Sequence, residues 1–88
     1  MKWTSADVFE ARYKEGRSGL MSRTKKDLEE MYRAISMIDR TFKSKQEVVD
    51  GIVEACNMVR RSFKLNVGKK LSRLYLMYQR YENKKPKD

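Results

Sequence analysis

Two apolar stripes at helical spacing constrain this chain more than any other feature. Leu28, Met31, Tyr32, Ile35, Ile38 and Phe42 recur at steps of three and four residues, and Val48, Val49, Ile52, Val53, Cys56, Val59 and Phe63 do so again. Such spacing lines each set along one side of an α-helix, and a helix with one apolar side must bury it against another element. The turn-forming residues agree. Four Gly and one Pro in 88 residues are too few for the tight turns of an all-β chain. The length allows one domain, with residues 1–83 as its helical body and 84–88 as a disordered basic tail.

Caps and periodicity divide the body into four helical segments. The first is expected over about Ser5 to Glu15, capped by Thr4, with Asp7 at the third helical position and Trp3 placed to staple onto Val8. Gly16 ends it, and Gly16-Arg17-Ser18-Gly19 reads as a linker. The second runs from about Thr24 to Phe42. The third runs from about Lys45 to Phe63 behind the capping pattern Ser44-Lys45-Gln46-Glu47, with Asp50, Glu54 and Asn57 on its polar side. Gly51 falls on that polar side too, at a cost of about 1 kcal/mol relative to Ala. The fourth is expected over about Val67 to Glu82, capped by Asn66, with Val67, Leu71, Leu74, Tyr78 and Tyr81 as its stripe. Tyr75, Tyr78 and Tyr81 read as core-edge residues rather than base-stacking platforms.

The predicted architecture is all-α, a compact bundle of three to four helices. The same stripes also admit an alternative. Leu28, Ile35, Phe42, Val49, Cys56 and Phe63 lie seven residues apart, as in one long helix forming an antiparallel or coiled-coil dimer. That register places Lys45 and Asn66 in the seam, which favours the bundle. A short echo, Met37–Lys43 against Met58–Lys64, hints at a repeated unit but extends no further than shared apolar spacing.

Charge separates the halves of the chain. Residues 1–54 hold 11 Lys and Arg against 10 Asp and Glu, whereas residues 55–88 hold 10 against 2. One-sided charge points to an anionic partner: a phosphate backbone, an acidic protein or anionic lipid. Arg60, Arg61 and Lys64 fall in the last turns of the third segment, where cations favour the helix by about 0.3–1 kcal/mol. Lys69 and Lys70 fall in the predicted first turn of the fourth, where helix stability disfavours them and an anion suits them. Lys69, Arg73, Leu76 and Arg80 then form a basic row on the outer face of that helix, with one exposed leucine. Placing Gly68 in a turn gives a faint helix-turn-helix pattern, but Lys64 sits where a small residue normally lets the two helices meet.

Chemistry of the chain's own finds little support. It has no histidine, the commonest general base and metal ligand. Cys56 lies mid-stripe as a small hydrophobe, and one cysteine forms neither an internal disulfide nor a multi-cysteine metal site. Glu29/Glu30 and Asp50/Glu54 read as solvated charges rather than metal ligands, and no Gly-rich phosphate loop is present. No catalytic, cofactor-binding or metal-binding residue is expected. No run approaches a membrane span and the start lacks the apolar region of a signal peptide, so a reducing, cytoplasmic setting is expected.

The functional expectation is a small non-enzymatic helical protein, regulatory in character. It would contact DNA or RNA phosphates through Lys69, Lys70, Arg73 and Arg80, with Leu76 beside them and Arg60, Arg61 and Lys64 flanking. The alternative is a protein-interaction module, an adaptor, inhibitor or regulatory subunit docking on an acidic partner, as small basic proteins of phages and mobile elements often do. A homodimer through the 28–63 heptad series is the third reading.

Overall fold

A computed structural model describes residues 3–65 and 72–85 of the chain. Its four helices are α1 (Ser5–Met21), α2 (Lys25–Ser36), α3 (Lys45–Leu65) and α4 (Arg73–Tyr81), and they form an all-α bundle.

The start of α1 follows the local sequence. Thr4 Oγ1 accepts from the Asp7 N–H at 3.1 Å, and the Asp7 carboxylate accepts from the Thr4 N–H at 3.2 Å, a complete capping box. Its end does not follow. Gly16 has φ 72° and ψ −177°, a backbone region open almost only to glycine, yet helix resumes beyond it. The expected linker at Gly16–Gly19 is therefore a kink inside α1. The kink folds the chain tightly, since a Cβ on Gly19 would lie 2.6 Å from Glu15 Cβ.

Between α1 and α2, Arg23 ties the corner together. Its guanidinium donates to both Glu15 oxygens at 3.0 and 2.6 Å and to Asp27 at 2.9 Å, and it lies 4.9 Å from the Trp3 ring centroid. Trp3 Nε1 in turn donates to Asp27 at 3.1 Å. The bonds to Glu15 above all, helped by Asp27, raise the Arg23 pKa still further above its ordinary value. Thr24 caps α2 by accepting from the Asp27 N–H at 3.1 Å.

α2 stops six residues before the expected end. Met37 takes a left-handed conformation, φ 62° and ψ 20°. The Ser36 hydroxyl donates to the Tyr32 carbonyl at 2.7 Å and accepts from the Ile38 N–H at 3.1 Å. A serine side chain here offers the backbone a local alternative to another helical turn. Ile38, expected in the stripe, is 53% exposed. Phe42 is still buried, because the linker returns along α2: its N–H donates to Glu29 at 3.2 Å and its ring meets Tyr32 edge-on, with centroids 5.0 Å apart. This break overturns the single long helix and its heptad seam. It also removes the repeat, since Met37–Lys43 is non-helical whereas Met58–Lys64 lies within α3.

α3 begins where expected, with Ser44 Oγ accepting from the Glu47 N–H at 3.3 Å. Lys45, awkward in a heptad seam, donates to the Met21 carbonyl at 3.1 Å and closes the end of α1. Gly51 is not a neutral position on a polar face. A Cβ there would stand 3.1 Å from the Tyr32 ring, so glycine lets α2 pack closely on α3. Phe9, Leu20, Leu28, Met31, Val48, Val49, Ile52 and Cys56 are fully buried between α1, α2 and α3. Each large apolar side chain among them contributes about 1.5–3 kcal/mol relative to exposure.

α4 starts later than the sequence implies. Ser72 is its N-cap, accepting from the Tyr75 N–H at 3.0 Å, and the helix opens at Arg73. Asn66, Val67, Gly68, Lys69, Lys70 and Leu71 lie outside the described residues. α4 packs chiefly against α1 and little against α3, unlike the paired helices of a helix-turn-helix. Tyr75, Tyr78 and Tyr81 are buried, with Tyr81 stacked on Tyr13 at 4.9 Å and Phe63 touching Tyr75 and Tyr78.

Candidate functional site

The described basic residues singled out in the sequence lie on two helices, α3 and α4. Lys69 and Lys70 lie outside the described residues. Arg73 and Leu76 are exposed on the outer face of α4, Leu76 by 58%. Arg80 shares that face but reaches Glu10 of α1 at 3.4 Å, which offsets part of its charge. Arg61 and Lys64 are exposed on α3.

Arg60 has become a tie between elements. One Nη donates to the Tyr13 hydroxyl at 3.2 Å and the other to the Glu82 carbonyl at 2.9 Å. It therefore holds the end of α4 against α1 and α3. The negative end of the α4 dipole gives that bond a physical reason.

The same tie shapes a cleft of about 360 Å³ between the end of α3 and the chain leaving α4, lined by Arg60, Lys64, Tyr78, Glu82, Lys84 and Lys85 among others. Four cations thus face one carboxylate. Arg60 and Lys64 reach the cleft together because they are one turn apart on α3. Lys84 and Lys85 follow the turn after α4, in which the Lys84 N–H donates to the Tyr81 carbonyl at 3.1 Å. The Lys84 ammonium also lies 5.8 Å from the Tyr81 ring centroid. Their sequence signal was cations just past a helix C-terminus, but nothing local says that they join α3. Burial raises the Tyr78 phenol above its usual pKa, and the Glu82 charge adds to this while Arg60 opposes it. The cleft wall is a neutral hydroxyl, and its charge is supplied by lysine and arginine.

On the opposite side of α3 lies a second recess of about 440 Å³. Its lining includes Ile35, Ile38, Met58, Val59, Phe63 and Leu74, with Arg40 and Glu54 at its edges. It exists because α2 ends at Ser36 while α3 continues to Leu65, and because α4 leans on α1.

Cys56 is buried, and burial pushes its thiol up to about 12. Among the described residues no three metal-ligating side chains come together, and no helix is long and apolar enough to cross a membrane. Compared with protein-family models, curated proteins and solved structures, the chain matches none.

Proposed function

We propose that this is a small non-enzymatic helical protein that binds nucleic acid by seating phosphates in the basic cleft. The observation that carries the reading is the convergence of Arg60, Lys64, Lys84 and Lys85, from two separate stretches of the chain, on one recess. Phosphate oxygens are the ligands such ammonium and guanidinium groups take most readily, and a cleft lined by one sign of charge concentrates its counter-ion. Arg60 comes already oriented by Tyr13 and Glu82, and Arg61 extends the positive surface along α3. Phosphate contacts position a protein without reading bases. Modest sequence preference follows.

The test is fluorescence anisotropy with a labelled DNA duplex and a labelled single-stranded RNA over a salt series. Three to four phosphate contacts give a slope of log K against log salt of about −3 on duplex DNA. Undetectable binding at low salt, or an affinity indifferent to salt, overturns the reading.

A further inference from the structure

We infer that the nucleic acid seated by the basic cleft is a double helix, held through its backbone, and that a single strand meets this protein by charge alone. The inference rests on the phosphate-binding reading of the cleft and narrows it to one form of the ligand.

The first observation is where the aromatic rings are. Proteins that hold single strands without reading sequence pair a basic groove with exposed aromatic side chains, and each base stacked on one is worth about 1–3 kcal/mol. All nine aromatic residues of this chain lie among the described residues. Seven of them are buried, at 9% exposure or less. The other two, Trp3 and Phe63, are half-buried and already engaged. Trp3 carries the Arg23 guanidinium over its ring and donates to Asp27. Phe63 packs against Tyr75 and Tyr78, with centroids 5.1 and 5.4 Å away. Tyr78, the aromatic residue of the cleft lining, is 4% exposed. The fold thus spends its rings on the core and offers none as a platform for an unstacked base. In a double helix the bases already stack on one another, so a duplex loses nothing by this.

The second observation is what the cleft does offer. A guanidinium plane also stacks on bases, but Arg60, the arginine of the cleft lining, is held at both Nη atoms by the Tyr13 hydroxyl and the Glu82 carbonyl. Lys64, Lys84 and Lys85 carry compact ammonium charges with no plane to stack. Four cations from two stretches of the chain therefore gather in one recess as a cluster of charge. Such a cluster meets more phosphates on a duplex, which carries one charge for about every 1.7 Å of its axis, than on one strand. A duplex also releases more counter-ion for each contact. With three to four contacts, salt slopes of about −0.9 and −0.7 per contact put the duplex about fivefold ahead at about 0.1 M salt.

Fluorescence anisotropy over a salt series compares four labelled ligands of about 20 nucleotides per strand: a DNA duplex, an RNA duplex, a thymidine single strand, and an abasic strand with the same backbone and no bases. The tighter duplex is expected to lead the thymidine strand by at least about threefold at about 0.1 M salt, and identifies which sugar the cleft takes. The thymidine and abasic strands should agree within about twofold, whereas even one stacked base would separate them by about fivefold or more. In Lys64→Glu/Lys84→Glu, at exposed positions, the duplex lead should shrink to within about twofold at an unchanged melting temperature, because the cluster produces it. A thymidine strand that matches the duplex, or that weakens about fivefold on losing its bases, overturns the inference and leaves phosphate binding standing. A full duplex lead that survives in the charge-reversed variant overturns it too. Binding of none of the four ligands removes both the inference and the reading beneath it.

Discussion

At the scale of single residues, Gly16 and Cys56 show how one position answers to its surroundings. Gly16 holds φ 72° with extended ψ inside α1, where a side chain adds about 1–3 kcal/mol of strain. Gly16→Ala is therefore expected to lower the melting temperature by several degrees, at about 4–8 °C per kcal/mol for a domain of this size. Calorimetry checks this, and an unchanged melting temperature would mean that α1 is not kinked at Gly16. Cys56 is protonated in the folded state up to about pH 12, whereas an unfolded thiol ionises in the ordinary range. A raised folded pKa gives stability that is full below the unfolded value and lost as pH rises toward the folded one. Wild type should lose about 1–2 kcal/mol more than Cys56→Ala between about pH 8 and pH 10, read from urea unfolding. Native Cys56 should also resist alkylation at about pH 8 until the protein is unfolded.

At the scale of elements, starts were more legible than ends. Thr4 and Ser44 announce α1 and α3 because a cap acts on N–H groups within three residues of itself, and the structure shows Thr24 opening α2 in the same way. The end of α2 was hidden, since neither Gly nor Pro marks it and Phe42 keeps the apolar rhythm going. Phe42 was rightly read as buried, but its route to the core is a returning linker, which is a tertiary event. Ser72 was hidden for the opposite reason, lying inside what looked like a continuous stripe from Val67 to Leu74. The bend at Met37 leads to a discriminating prediction. Met37→Gly, relieving a left-handed side chain, should raise stability by roughly 1 kcal/mol in a denaturant melt. Were residues 28–63 one long helix, the same change would lower stability by about that amount.

At the scale of the whole molecule, folding preserves the charge asymmetry of the sequence and sharpens it. The cations near the front of the chain find acids there: Arg17 meets Asp50 at 2.6 Å, Lys14 meets Glu10 at 3.5 Å, and Arg23 serves Glu15 and Asp27. The Arg17 contact holds the Asp50 carboxyl below its usual pKa. Toward the end of α3 cations outnumber acids among the described residues, and Arg60, Lys64, Lys84 and Lys85 line a cleft. The sequence made Arg60 and Lys64 visible as a pair one turn apart. Lys84 and Lys85 joined them only through the packing of α4 on α1, and the apolar groove arises only from the different lengths of α2 and α3. Both recesses are products of how helices meet, which periodicity along one helix does not encode.

The most direct test of the central claim compares two variants of equal net charge, Lys64→Glu/Lys84→Glu at the cleft and Lys26→Glu/Lys43→Glu away from it. Affinity for a labelled DNA duplex is measured at low salt beside wild type, with melting temperatures in parallel. The cleft variant is expected to lose at least about tenfold in affinity and the other variant less than about threefold, with all three proteins equally folded. Equal losses in the two variants, or no binding by wild type, would contradict a phosphate site at the end of α3.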